Sequence, residues 1–221
     1  MKIIHYYHIL CNPNTNITHL LVLQHMNAIC NYGLVSVLDE IRIGLVGLPE
    51  QRKIVKEMLQ QSMVKDKIKI VIERQRADEH ITLQHMHNAS QEEECYYIYG
   101  HTKGAYHTHF SNLVWVRSMI FYNIVGWGKM LEKLENTKID CAGCFWLTKE
   151  EYPEILKFDP DGTPFFGGNF YWAKSSYVKT LPIVPKQDRY KAERWIGLND
   201  PKIYCIQGGH PEHLQNHIIT F

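Results

Sequence analysis

The sequence predicts an α/β protein with a mostly parallel central sheet, flanked by helices and carrying an appended C-terminal lobe. Three observations carry that expectation. Over the first hundred residues, β-rich runs alternate with segments of helical periodicity. The runs are bounded by turn signals, as strand–helix–strand units require. Apolar residues make up 45% of a 221-residue chain, enough for a substantial core.

Residues 2–10, Lys-Ile-Ile-His-Tyr-Tyr-His-Ile-Leu, are rich in β-formers and stop at Cys-Asn-Pro-Asn. From Ile17 to Asn31, Val22, Met26 and Ile29 fall at helical spacing, and Gly33 follows where a C-terminal cap belongs. Ile41–Gly47 is a second strand. Glu50–Gln61 is a second helix, with Pro49 at its start and Ile54, Val55, Met58 and Leu59 on one face. Lys67–Ile72 reads as a third strand, Glu79–Asn88 as a short helix, and Cys95–Tyr99 as a fourth strand running into Gly-His-Thr-Lys-Gly. In a parallel sheet, ligands bind at the carboxyl ends of the strands, so the tips after residues 8, 47, 73 and 99 are expected to face one cleft.

One long helix is predicted over Asn112–Leu134, from the stripe Leu113, Ile120, Ile124, Trp127, Leu131 and Leu134. Arg117 falls on that stripe, where a charge must either snorkel outward or meet an anion. A strand is predicted over Ile139–Leu147. Beyond it the pattern turns irregular, and neither an internal repeat nor a low-complexity linker divides the chain, so residues 1–221 read as one domain.

A net charge of +1 supplies no global field for nucleic acid or an acidic membrane surface. No run reaches the roughly 18 to 20 apolar residues of a membrane span. The N-terminal residues lack the pattern of an export signal, so a cytoplasmic location is expected. The six cysteines are expected to be reduced, buried thiols, and Cys141-x-x-Cys144, without a second pair, reads as structural.

Several local patterns suit chemistry. In Gly100-His-Thr-Lys-Gly104, two glycines permit close backbone approach, Lys103 can neutralise phosphate and His101 can donate a hydrogen bond or a proton; the bland reading is a solvated loop. Gly167-Gly168-Asn169 with Phe170, Tyr171 and Trp172 suits a sugar ring, against the alternative of a β-bulge with core aromatics. Glu193, beside Trp195 on a short helix, is a candidate general base if the indole desolvates it; the alternative is a surface glutamate paired with Arg194 or Lys191. Neither His80, His85 and His87 nor His101, His107 and His109 has a recognised zinc-ligand spacing, and Asp159-Pro-Asp161 lies in a turn.

Taken together, the chain resembles a family of GT-A type glycosyltransferases found in giant viruses and in bacterial capsule or surface-glycan clusters. The landmarks are Tyr7–Asn12, Gly33-Leu-Val, Ile41–Gly47, Tyr99–Gly104, Trp115-Val-Arg117 with Met119 and Tyr122, Asp140–Gly143, and Phe166–Ala173 before Tyr177. The resemblance implies a GT-A fold with a nucleotide-binding half over residues 1–110 and an acceptor-side half over 111–221. It implies transfer of a sugar from a UDP-linked or related nucleotide sugar to a hydroxyl of a glycan. Tyr7 and His8 would hold the nucleotide, with His101, Lys103, Gly104 and Arg117 on the diphosphate. Gly167, Gly168, Asn169, Trp172 and Trp195 would line the acceptor side, and Glu193 or Asp140 would serve as base. A divalent cation, Mn or Mg, is what the wider superfamily implies, although His-Thr-Lys-Gly stands where an Asp-x-Asp is usual. A non-catalytic carbohydrate-binding protein of the same fold and a metal-dependent hydrolase are the alternatives.

Overall fold

The computed structural model describes residues 1–12, 17–105, 110–136, 138–157, 159–186 and 188–209. Four strands, β1 (Lys2–Leu10), β2 (Glu40–Val46), β3 (Ile68–Arg74) and β4 (Cys95–His101), are connected through α1 (Ile17–Asn31), α2 (Pro49–Gln61) and α3 (His80–Ala89). After β4 come α4 (Phe110–Ile120), α5 (Trp127–Asn136), β5 (Cys141–Gly143), β6 (Trp146–Leu147), β7 (Phe165–Phe166) and β8 (Tyr171–Lys174). The last elements are α6 (Ser175–Val178), α7 (Arg189–Arg194) and β9 (Ile203–Cys205). The central sheet has the order β3-β2-β1-β4-β8-β5-β9, and β6 pairs with β7 separately. Within the central sheet β8 runs antiparallel to β4 and β5, while the other pairings are parallel.

Helices cover both faces of this sheet, which is why its central strands are apolar on both sides rather than alternating. Along β1, Ile3, Tyr7 and Ile9 enter one core with residues of α1, α2, α4 and α5, while Ile4 and Tyr6 enter the other with residues of α3, α6 and α7. His5 lies in the first core. Its Nδ1 donates to the Ile98 carbonyl at 3.1 Å, so its Nε2 is left to accept from His25 Nε2 at 2.7 Å. Tyr7 stacks on His25 with ring centres 4.2 Å apart. Two imidazoles are thus buried neutral beneath the sheet.

Two elements depart from the periodicity. The single helix expected over Asn112–Leu134 is broken by a π-turn at Phe121–Val125. There the carbonyl of Asn123 accepts the indole Nε1–H of Trp172 at 2.9 Å, and the Gly126 amide bonds back to Phe121. A side chain entering the ladder is a recognised cause of such a break. The strand expected over Ile139–Leu147 is split because Phe145 adopts a left-handed φ of 59° and carries the chain from the central sheet to the β6–β7 pair.

Candidate functional site

A cleft of about 660 Å³ opens at the carboxyl ends of the four parallel strands. β1 contributes His8, Leu10 and, just beyond, Cys11; β2 contributes Val46 and the following Gly47 and Leu48. Residues 75–79 after β3, residues 101–105 at the end of β4, and Arg189 of α7 complete it. The register pairs His8 with His101 across β1 and β4 at this edge. Gly47 has φ 145°, and a β-carbon there would lie 2.6 Å from that of Cys11, so glycine is what lets the first two strand tips close on each other.

Lys103 is held at the cleft by a cation–π contact, its Nζ 4.5 Å from the centre of the Trp115 ring. His101 donates from Nε2 to the Gly168 carbonyl at 2.9 Å. That bond ties the lysine turn to the Gly167-Gly168-Asn169 segment. Gly168 has φ 87°, and a β-carbon there would strike Met119 and the Trp115 indole. Asn169 is also left-handed, at φ 55°, and its Nδ2 donates to Glu79 Oε2 at 2.7 Å. Tyr99 donates to the same oxygen at 3.0 Å, and burial together with the Glu79 charge pushes the Tyr99 phenol well above its usual range. The glycine–asparagine segment therefore supports the cleft from behind, through His101 and Glu79, instead of lining it.

Glu193 is not among the residues that line the cleft but lies within electrostatic reach of its Lys103 and His101; it is 9% exposed, with Oε1 accepting from Arg189 Nε at 3.1 Å. Burial raises its proton affinity, but Lys103, Arg189 and His101 together outweigh burial and bring the carboxyl below its ordinary range. The expectation that the Trp195 indole would make it a stronger base is therefore corrected: Trp195 turns away into the second core and donates to the Pro182 carbonyl at 2.7 Å. His8 bonds Thr82 Oγ1 at 2.8 Å; burial, then His101 and His80, lower its pKa to about 3.

Other sequence-derived candidates lie elsewhere. Tyr7 points to the opposite face from His8, as strand alternation requires, and packs on His25. Trp172 is fully buried in the first core. Arg117 is exposed on α4, so it snorkels outward rather than meeting an anion in the cleft. Asp140 sits at the amino end of β5, on the edge of the sheet away from the cleft, where it accepts the Lys202 amide at 2.8 Å. Gly167 packs against Leu147 and Phe145. His107 and His109 lie outside the described residues. Conversely, Glu79, Arg76 and Arg189 line the cleft without having been singled out from the sequence. The available signal for Glu79 was its position just after the third strand, where a parallel sheet places ligand-binding residues.

Among the described residues the donor set does not fit a divalent cation. Among the described residues no three His, Cys, Asp or Glu side chains converge as ligands. The β4 tip itself carries Lys103 and no carboxylate, and Glu193 is already held by Arg189. Asp159 bonds the Asp161 and Thr163 amides as a turn former.

No curated protein matches the chain in sequence. Among solved structures it is similar to 4-diphosphocytidyl-2C-methyl-D-erythritol synthase from Anaerococcus prevotii DSM 20548, at 10% identity over 96% of this chain and 88% of that one, with a TM-score of 0.52. It is also similar to glucosyl-3-phosphoglycerate synthase from Mycobacterium tuberculosis, crystallised with Mn2+, UDP and glucosyl-3-phosphoglycerate. There the identity is 13% over 94% of this chain and 69% of that one, with a TM-score of 0.47. At such identities the likeness speaks to the fold alone, which is GT-A-like. No helix among the described residues is long and apolar enough to cross a membrane. A family model covers residues 6–195, and the chain belongs to that family, described as Domain of unknown function (DUF8361).

Proposed function

We propose that this protein transfers a glycosyl unit from a nucleoside diphosphate sugar, UDP-linked, to a hydroxyl of a glycan acceptor. The observation that carries the reading is the meeting of Lys103 and Arg189, cations from distant elements, at one strand-end cleft whose wall is bonded to the Gly-Gly-Asn segment. A leaving diphosphate needs donors and positive charge as the anomeric bond breaks. Leu10, Val46 and Leu48 also line the cleft and give it an apolar surface suited to a nucleobase.

In this mechanism the acceptor oxygen attacks the anomeric carbon and its proton passes to Glu193. The bond from that carbon to the diphosphate oxygen breaks, and the nucleoside diphosphate departs with the electron pair. Lys103 and Arg189 donate to its phosphates. They are also two of the three groups that hold Glu193 below its usual range. A bound diphosphate draws them away, so burial dominates and Glu193 becomes the stronger base once the donor is in place. A cytoplasmic setting suits the six cysteines, which are free thiols.

Calorimetry against UDP and a panel of nucleotide sugars tests this reading. The expected result is binding of at least one UDP-sugar, with slow release of UDP when no acceptor is present. Absence of binding to every nucleotide and nucleotide sugar would contradict it. A sugar-binding protein without turnover is the second reading, favoured by the Arg189–Glu193 ion pair, since a carboxylate so held is a weak base. Donor binding with neither transfer nor hydrolysis across the panel would select it.

A further inference from the structure

Glu79 is an unusual carboxylate. It is 5% exposed, yet it lines the cleft. Burying a carboxylate is costly unless its oxygens are matched by donors. One oxygen, Oε2, is matched twice, by Tyr99 and by Asn169. No described residue donates to Oε1, and no ion pair among the described residues involves Glu79. The nearby guanidinium of Arg189 has its Nε on Glu193 and acts on Glu79 through space, without a hydrogen bond to it. A carboxylate held through one oxygen, with the other unmatched at a cleft, is arranged to accept hydrogen bonds from a ligand.

The surroundings support that function. Tyr99, which orients Oε2, stacks on the fully buried Tyr171 with ring centres 5.4 Å apart. Asn169 is 1% exposed and keeps a left-handed backbone that few residues other than glycine and asparagine adopt. Two donors from different strands and loops thus fix the carboxylate in one rotamer, so its open oxygen is preorganised and no side-chain entropy is lost when a ligand arrives. The loop that presents it leads into α3 directly: the Thr82 and Leu83 amides bond the Glu79 carbonyl at 3.0 and 3.1 Å.

We propose that Glu79 is a further substrate-contacting residue, whose Oε1 accepts hydrogen bonds from ring hydroxyls of the donor's glycosyl unit, with Tyr99 and Asn169 as positioning residues. The assignment rests on the nucleotide-sugar reading and adds the class of group recognised there. A nucleoside diphosphate alone presents no such hydroxyl at this point. Glu79 therefore contributes to binding of the nucleotide sugar and not to binding of its parent diphosphate.

The test compares the affinities of the unmodified protein, Glu79→Gln and Asn169→Gly for UDP and for UDP-hexoses. Glu79→Gln keeps an oxygen for Tyr99 and Asn169 but removes the charge; Asn169→Gly keeps the φ of 55° and removes the amide. Loss of a charge-assisted bond is expected to weaken the UDP-hexose by about tenfold in Glu79→Gln, while UDP changes by less than about twofold. Asn169→Gly should shift the same ratio in the same direction by a smaller factor. Equal weakening of UDP and UDP-hexose, or no change in either, would overturn the assignment of Glu79 alone. Failure of the unmodified protein to bind either ligand would overturn the transferase reading, and this assignment with it.

Discussion

Glu193→Gln is expected to lower the rate of glycosyl transfer by on the order of 100-fold or more, the range for loss of a positioned general base. Gln cannot accept the acceptor's proton, but it fits the same space between α7 and the cleft wall. Nucleotide binding should move the other way. In the free protein the Glu193 carboxylate competes for Arg189, which it holds at 3.1 Å, and it interacts with Lys103 through space. Removing its charge frees both cations, so the affinity for UDP should stay level or tighten. Steady-state kinetics with the identified donor, together with calorimetry on UDP, separate the two effects. A variant that transfers at the parent rate removes Glu193 from the mechanism; one that loses rate and UDP affinity together points to a disturbed cleft instead.

Acid should destabilise the fold well before carboxylates titrate. Unfolded histidines take a proton near pH 6.5. In the folded protein, burial, opposed by the bond to the Ile98 carbonyl, lowers His5 to about 4. Burial, then the neighbouring His101 and His80, brings His8 to about 3, and burial with the adjacent His5 drives His25 well below its usual value. All three shifts are downward, so the unfolded chain binds more protons between about pH 6.5 and 4. Stability is complete above that window and falls as the pH drops through it. Each histidine contributes about 1.4 kcal/mol per pH unit, and the three together ~4 kcal/mol per unit. For a chain of this size the melting temperature should fall by on the order of 10 °C between about pH 7 and pH 5.5. Melting followed across that range, with proton uptake on unfolding measured by calorimetry, checks it. A flat profile would show that the His5–His25 pair and His8 are already charged in the folded protein.

The first half of the fold was legible because its strands and helices are long enough for their periods to show. Four strand tips expected at one edge do form one cleft there. The second half was less legible for physical reasons. β8 is four residues long, and its antiparallel insertion between β4 and β5 depends on partners distant in sequence. The break after α4 depends on an indole 49 residues away that captures one helix carbonyl. Tyr7 and His8 could have been separated by alternation alone, since adjacent residues on a strand face opposite sides. The partner of Glu193 was also readable. Lys191 and Arg194, two residues before it and one after, do not face it on a helix, whereas Arg189, four residues earlier, does. Glu79 stayed hidden because an acidic residue at a helix start is ordinarily explained by the helix dipole.

The proposed transfer needs a diphosphate lying between the β4 lysine turn and α7, and a crystal structure after soaking with UDP and manganese tests that most directly. The phosphates are expected in contact with Lys103 and Arg189, with the base toward Leu10, Val46 and Leu48. Nucleotide bound away from this cleft, or anchored by carboxylate-held manganese with Lys103 and Arg189 unengaged, would contradict it.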